Sequence, residues 1–388
     1  MRNLVAALGT IAWALTTGAV AEDFLPLPKQ AECFADAKAG VPQSRLAALG
    51  RGFNLPGWLE IPPRPPDMRV LAQLRARGFT HVRLPVAVET LSEAFNTPQG
   101  VARQLGALDS AVDALIGLDF VVTIDLHPSG QFVNFHLDHP ERALRILQTV
   151  WNVLARRYAN RSPERVVFEV LNEPAVAASI WNVQGPRLVD TIRSDAPNHT
   201  IIYDHADYQR IDALPAVTPV ADVNVVYAAH FYDPMIFTHQ GLDWSDDPLR
   251  YLHQVPFPAR LVDPAITGLL NELKSQGRSE SAALLTEALR EPWTEERVDT
   301  EISVAAAWAE RVGRPVIINE FGVLGLKAKP ADRARWLSVV RGAAERHCIG
   351  WTHWDYADAF GFVRRVAGHE FPDETILSAL IPRTSSPR

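Results

Sequence analysis

The strongest constraint on the fold is a regular alternation of short β-rich runs with longer helical stretches. Valine, isoleucine, phenylalanine and tyrosine dominate the short runs, and FVVTI (120–124) and VVF (166–168) are apolar on both faces. Strands of that kind are typical of a parallel sheet that helices cover. Such runs occur at residues 50–55, 80–86, 120–127, 166–173, 200–205, 223–232, 315–322 and 349–356.

Helical patterns lie between these runs, for example at 68–78, 142–158 and 333–347. Eight β/α repeats over roughly 365 residues predict a (β/α)8 TIM barrel of the α/β class, folded as a single domain. A doubly wound open sheet is the alternative. Its first strand usually leads into a G-x-G-x-x-G phosphate turn, which GRGFNLPGW (50–58) does not contain.

The N-terminus has the three parts of a secretory signal peptide. Met1-Arg2 is positively charged, residues 4–20 carry no charge, and Ala19-Val20-Ala21 offers a small-residue cleavage site. An uncleaved membrane anchor is the alternative, but the apolar run is short for a membrane span. We therefore expect residues 1–21 to be removed, residues 22–388 to form the barrel domain, and the protein to be secreted or periplasmic.

The composition excludes some partners and leaves one covalent question open. The formal net charge of −7 gives no reason to expect nucleic acid, and no second segment could bind the protein to a membrane after cleavage. We expect a monomer. Cys33 and Cys348 are the only cysteines, so at most one disulfide forms. Cys348 precedes the eighth run and Cys33 precedes the first, which would bring both to one end of a closed barrel; two separate buried thiols are the alternative.

Metal and cofactor signals are weak in this sequence. C-x-x-C and Cys/His spacings are absent. His136-x-x-His139 could be read as a metal pair, but no third ligand stands at a fixed spacing, and we interpret this stretch as a polar loop. We expect neither a metal nor a cofactor.

Polar residues collect at the carboxyl ends of the predicted strands, where a barrel of this kind places its functional groups. The residues at these ends are Arg83, Asp125, His127, Asn172, Glu173, His230, Tyr232, Asn319, Glu320, Trp354 and Asp355.

Two glutamates lie on the fourth strand, and their spacing separates their roles. Glu169 and Glu173 are four residues apart, so both point the same way, about 13 Å apart along the strand. We expect Glu173 at the rim and Glu169 deep in the barrel as a structural, ion-paired group, with Arg51 as its partner. Glu173 and Glu320 are then two rim carboxylates, the pair that hydrolysis of a glycosidic bond requires.

The ordered set of motifs resembles glycoside hydrolase family 5, a cellulase-type family of the clan A barrels. RGFNLPGWLE, GFTHVRLPV, DLH, LNEP, HFY, INEFG and the tryptophan of WTHWDY match its strand-end motifs in order, from about Arg51 to Phe362. Pro128 stands where many members have a second histidine. FTHQG followed by Trp244 is similar to a branch that acts on β-1,4-glucans and sometimes on mannans.

The resemblance implies a role for each site residue. Glu173 would be the general acid/base and Glu320 the nucleophile, with Arg83 and Tyr232 holding Glu320 ionised. The sugar would be bound by Asn172 at its 2-hydroxyl, by stacking on Trp354, and by His127 and His230.

The expected function is hydrolysis of internal β-1,4 bonds of a β-glucan by a retaining double displacement. Alternatives are the same mechanism on β-mannan, β-1,3-glucan or a bacterial exopolysaccharide, and a glycan-binding protein that has lost catalysis. The complete pair of glutamates argues against the last. An unrelated barrel hydrolase that uses a metal is a further alternative. The long segment from 245 to about 298 does not align with the β-1,4-glucan branch.

Overall fold

The protein is a closed barrel of eight parallel strands, as the sequence predicts. The computed structural model describes residues 40–245 and 247–382. Each strand pairs with the next along the chain, and β1 pairs with β8, so the sheet is closed and the doubly wound alternative is excluded. The strands are β1 Arg51–Asn54, β2 His81–Val86, β3 Val121–Leu126, β4 Val166–Glu169, β5 Ile201–Tyr203, β6 Val225–His230, β7 Val316–Phe321 and β8 Gly350–His353.

Helices surround the barrel and bury their apolar faces against it. They are α1 Gln43–Ala48, α2 Met68–Arg77, α3 Pro98–Gly117, α4 Gly130–Asp138, α5 Pro140–Tyr158, α6 Ala178–Asp195, α7 Met235–Thr238, α8 Pro264–Ser275, α9 Ser279–Ala288, α10 Glu295–Val312, α11 Pro330–Arg346 and α12 Glu374–Leu380. Asp67 and Thr97 cap α2 and α3 by accepting a bond from a backbone N–H in the first turn. A large apolar cluster fills the space between strands and helices.

The barrel interior changes character from one end to the other. Near the amino ends of the strands, a smaller apolar cluster includes Val167, Ile202 and Ile317, and α1 closes this end with Leu46. Further along, His81 lies within 2.7 Å of the Thr123 hydroxyl. Toward the carboxyl ends the interior becomes charged. The apolar end therefore anchors the strands, and polar chemistry is confined to the opposite end.

Cys348 lies two residues before β8, at the amino end of the barrel where the sequence predicts it. It borders a groove of about 270 Å³ that Leu49, Val226 and Val316 also line. Cys348 is disulfide-bonded. Cys33 lies outside the described residues, so the pairing of these two cysteines stays a prediction.

The segment after β6 folds into helices rather than a bare loop. It carries α7, a 3-10 turn at Pro248–Tyr251, then α8 and α9, and it runs into α10. Arg278 stacks on the Tyr251 ring at 3.9 Å and ties α9 to the turn. A hairpin of β9 Val363–Val366 and β10 His369–Pro372 follows β8. Both additions extend the barrel beside its carboxyl end.

Within residues 40–245 and 247–382, the helices lack an apolar stretch long enough to cross a bilayer. The proposed signal peptide, residues 1–21, lies outside the described residues.

Candidate active site

A β-bulge in β7 turns the candidate nucleophile into the barrel mouth. Ala229 of β6 pairs with Ile318, but the next residue, His230, pairs with Glu320, so Asn319 is an extra residue in the strand. Such a bulge re-aims the side chains that follow it. Asn319 bonds Glu169 at 2.8 Å, and Glu320 also faces inward. Both therefore point into the barrel although they are adjacent in sequence.

Arg83 of β2 is fully buried at the centre of the site and links four strands. Its guanidinium bonds both oxygens of Glu169, at 2.8 and 2.7 Å, and one oxygen of Glu320 at 2.5 Å. It also reaches Asp125 at 3.0 Å and the Asn172 amide oxygen at 2.8 Å. Burial opposes a charge on Arg83, but the three carboxylates raise its pKa well above the ordinary value. One fixed cation thus neutralises part of a strongly acidic interior.

Glu320 receives a hydrogen bond on each carboxylate oxygen. Arg83 donates to Oε1, and the Tyr232 hydroxyl donates to Oε2 at 2.9 Å. Burial and the nearby Glu320 carboxylate raise the pKa of Tyr232 well above its usual value, so the phenol keeps its proton. Arg83 and Tyr232 thus present one hydrogen-bond donor to each oxygen of the Glu320 carboxyl group. The arrangement suits a carboxylate that attacks.

Glu173 lies in the segment that follows the fourth strand, and its environment differs from that of Glu320. It lies four residues beyond the end of β4 and has φ 46°, a left-handed value that non-glycine residues rarely adopt. Its Oε1 lies 2.8 Å from His230 Nδ1. Burial raises the pKa of Glu173, and burial lowers the pKa of His230 to about 4. His230 therefore faces Glu173 as a neutral imidazole, and a raised pKa is the direction expected of a carboxyl that donates a proton.

The two glutamates lie close together. One oxygen of Glu173, the His230 Nδ1 atom and one oxygen of Glu320 all lie within 4.8 Å of one another. In the described part of the chain this is the group of side chains that could also hold a metal ion. One imidazole nitrogen and two carboxylate oxygens are ligands that suit zinc. The same three side chains can equally act without a metal, as a proton donor, its histidine neighbour and a nucleophile.

His127 and Trp354 form one wall of the site. Their rings stack with centroids 5.5 Å apart and planes 15° apart. Burial alone would lower the pKa of His127, but the Asp125 carboxylate at 2.8 Å from Nδ1 raises it overall. His127 Nε2 lies 3.4 Å from the Asn172 amide nitrogen. The eight residues to which the family resemblance gives a role are thus brought together at one end of the barrel.

The predicted partner of Glu169 is wrong. Glu169 is ion-paired, as expected, but with Arg83. Arg51 instead bonds Glu345 of α11 at 2.9 Å, outside the barrel. Side chains alternate along a strand, and Asn54 of β1 faces the interior, where it accepts a bond from Arg83 at 2.9 Å. Arg51, three residues earlier, must then face the helices.

The stretch around His136 is also not a polar loop. His136 lies in α4, and its Nε2 lies 2.7 Å from the Gln184 amide oxygen. His136 is therefore satisfied by a helix–helix contact, which explains its position without a metal.

Sequence reasoning missed two residues of the β5 loop. The Asp204 carboxylate accepts a bond from the Leu171 N–H at 2.8 Å, and the Gln209 amide accepts one from the Glu173 N–H at 2.7 Å. Burial and the neighbouring Glu169 raise the pKa of Asp204 well above its usual value. Asp204 follows β5 directly, so its place at a strand end was the available signal. Gln209 lies in an irregular turn and gave none.

Comparison with known proteins agrees with this geometry. The family described as cellulase, glycosyl hydrolase family 5, matches residues 46–359. Endoglucanase 3 of Fibrobacter succinogenes is 28% identical over 345 residues, which are 83% of this chain and 51% of that protein. Endoglucanase C of Acetivibrio thermocellus is 24% identical over 331 residues, 80% of this chain and 92% of that one.

Among solved structures, endoglucanase Cel5A of Thermotoga maritima has a TM-score of 0.70–0.71 at 24% identity, and in one of its structures the match covers 87% of this chain and 98% of that chain. The chain spans about half the length of the Fibrobacter relative, and almost all of the other two. Since the family match extends over most of the sequence and over all eight strands, the chain belongs to glycosyl hydrolase family 5.

Proposed function

We propose that the protein is a retaining endo-β-1,4-glucanase. The observation that carries this proposal is the pair of Glu173 and Glu320, whose nearest ligand oxygens lie within 4.8 Å. Retaining glycosidases hold their two carboxyl groups about 5–5.5 Å apart, whereas inverting ones need about 6.5–9.5 Å to admit a water molecule. The short separation favours direct attack by one carboxylate.

The environments of the two carboxyl groups support a different role for each. Glu320, bonded by Arg83 and Tyr232, attacks the anomeric carbon and forms a glycosyl ester. Glu173 gives its proton to the departing oxygen, and burial raises its pKa, which is the direction that a general acid requires. In the second step the Glu173 carboxylate takes a proton from water, the hydroxide attacks the same carbon, and Glu320 leaves. Two inversions restore the original configuration.

The remaining residues bind the sugar under attack. Trp354 offers its indole face to the apolar face of the ring. Arg83 holds the Asn172 side-chain amide at its oxygen, and the NH2 group, which lies beside His127, meets the 2-hydroxyl. His127 and His230 complete the wall and the floor.

The choice of β-1,4-glucan rests on the relatives. The curated proteins reported above are named endoglucanases, and β-1,4-glucan is the substrate that this name implies. The same site could act on β-mannan, β-1,3-glucan or an exopolysaccharide, since the helical segment after β6 shapes the cleft in its own way.

A polymer substrate also fits export, so we infer that residues 1–21 direct secretion. N-terminal sequencing of the exported protein should then begin at Glu22, and retention of Met1 would contradict it.

The proposal is tested on a panel of polymers. The mature protein should release short oligosaccharides from carboxymethyl-cellulose, and the first product observed by NMR should carry the β-configuration. Glu320→Gln should reduce turnover by at least about 10³-fold while the fold is kept. Glu345→Gln is the control, because Glu345 is a buried carboxylate outside the barrel mouth. An α-configured first product, or an active Glu320→Gln variant, would refute the retaining mechanism. Faster cleavage of glucomannan, xyloglucan or β-1,3-glucan would reassign the substrate.

A further inference from the structure

The end of the fourth strand depends on side chains from the β5 loop for its backbone hydrogen bonds. The Val170 N–H and the Asn172 N–H donate to carbonyls of the neighbouring strands, at 3.1 and 2.8 Å. The Leu171 N–H donates to the Asp204 carboxylate at 2.8 Å, and the Glu173 N–H donates to the Gln209 amide oxygen at 2.7 Å. Only the last of these contacts reaches Glu173 itself.

Gln209 has little freedom to move. It is fully buried, and its NH2 group donates to the other Asp204 oxygen at 2.8 Å. The Glu173 contact fixes the orientation of the amide, because a backbone N–H can only donate, so the amide oxygen must face Glu173. Asp207, Tyr208 and Gln209 all have left-handed φ values, from 54° to 62°. Three such residues in a row are a backbone that the surrounding contacts must hold in place.

Gln209 also acts on Glu173 from a second direction. Its own carbonyl accepts a bond from the His230 N–H at 2.7 Å. His230 in turn touches the Glu173 carboxyl at 2.8 Å. One buried glutamine thus sets both the backbone of Glu173 and the backbone of the histidine that orients its side chain.

We propose that Gln209 is a positioning residue for the acid/base glutamate: it holds Glu173 in its left-handed conformation, with the carboxyl aimed at the glycosidic oxygen. This inference rests on the proposed function, in which Glu173 donates the proton to the leaving group. Without the Gln209 amide, the Glu173 N–H loses its buried acceptor and the main chain can relax toward an ordinary φ value. The carboxyl would then move away from the glycosidic oxygen, and a shift of about 1 Å is enough to cost about 10²-fold in rate.

The test uses leaving groups that differ in their need for a proton. A dinitrophenolate departs without acid assistance, whereas a phenolate needs it, and kcat/KM reports the step in which that bond breaks. For Gln209→Met, which keeps the volume and removes the amide, we expect kcat/KM on phenyl β-cellobioside to fall by about 10–100-fold. On dinitrophenyl β-cellobioside we expect a loss below about threefold, because acid catalysis does not contribute there.

Gln184→Met is the matched control. Gln184 is a buried glutamine whose amide contacts His136 and the Pro140 carbonyl, away from the barrel mouth. It should leave the ratio of the two kcat/KM values at the wild-type level. An equal loss on both substrates for Gln209→Met would mean a general structural role, and no loss would mean no role; either result overturns the proposal.

Wild-type turnover of the same cellobiosides tests the proposed function separately from the role of Gln209. The contact is also open to a test that needs no substrate. A crystal structure of Gln209→Met should show Glu173 with a changed φ value or a carboxyl displaced from His230. If Glu173 keeps φ near 46° and its 2.8 Å contact, Gln209 does not position it.

Discussion

Replacement of Arg83 by lysine keeps the central positive charge of the site and removes its geometry. Six acceptor atoms lie within 3.0 Å of the guanidinium, two of them on Glu169 and one on Glu320. An ammonium group has three donors, so at least three of these six hydrogen bonds are lost in a fully buried site. Each hydrogen bond to a charged group contributes about 1.5–3 kcal/mol. We therefore expect Arg83→Lys to lower the free energy of unfolding by at least about 3 kcal/mol.

The same substitution should impair catalysis even where the protein is folded. Loss of the Arg83 bond to Glu320 removes a charge-assisted contact of about 1.5–3 kcal/mol, which corresponds to about 10–100-fold in kcat/KM. Denaturant unfolding and kinetics below the transition measure the two effects independently. Arg341→Lys is the control, because Arg341 is buried on α11 with only long contacts, 3.3–3.4 Å, to its neighbours. If the free energy of unfolding of Arg83→Lys lies within about 1 kcal/mol of that of Arg341→Lys, which is the size of one hydrogen bond, the reasoning fails.

Three further predictions follow from the site and from the barrel end opposite to it. Trp354→Ala should lower kcat/KM by at least about tenfold, or about 1.4 kcal/mol, through lost stacking on the sugar; near-normal activity with reduced stability would assign Trp354 to packing alone. Because burial raises the pKa of Glu173, its acid form persists to higher pH than that of an ordinary glutamate, and the alkaline limb of kcat/KM should lie above pH 4.5. That limb should be present for phenyl β-cellobioside and disappear in Glu173→Gln, and its persistence in the variant would point to another acid. Peptide mapping without reductant should recover Cys33 linked to Cys348, and loss of the link should cost about 2–4 kcal/mol, whereas two free thiols in the unfolded, unreduced protein would reject the pairing.

The sequence predicted the barrel well because its strands are buried on both faces. Runs such as FVVTI (120–124) are apolar on both faces and are therefore easy to recognise as buried strands. Each observed strand falls inside its predicted run. The clustering of the candidate site residues was also predictable, since a parallel barrel brings the carboxyl ends of its strands to one face. The predicted run at 166–173 was too long: β4 ends at Glu169, because the residues beyond it take their hydrogen bonds partly from side chains.

The misses share a physical cause, which is that they depend on contacts between segments distant in sequence. Arg51 was paired with Glu169 without regard to strand alternation, and the register of β1 turns it toward α11 instead. Gln209 lies in a turn of three residues with left-handed φ values, and none of the three is a glycine that would have indicated this turn in the sequence. The bulge at Asn319 depends on how β6 and β7 pair, which neither strand encodes alone.

The central ion network has a consequence for refolding. Arg83 lies on β2 and meets Asp125 of β3 and Glu169 of β4, which are sequential neighbours, but Glu320 lies on β7, which β8 and β1 separate from β2. Glu320 therefore gains its contact with the Arg83 cation only when the sheet has closed, because the shorter path from β7 to β2 runs through β8 and β1. A half-formed barrel can assemble most of the network and still have no turnover. The return of activity during refolding thus reports the moment at which the last strands join the first.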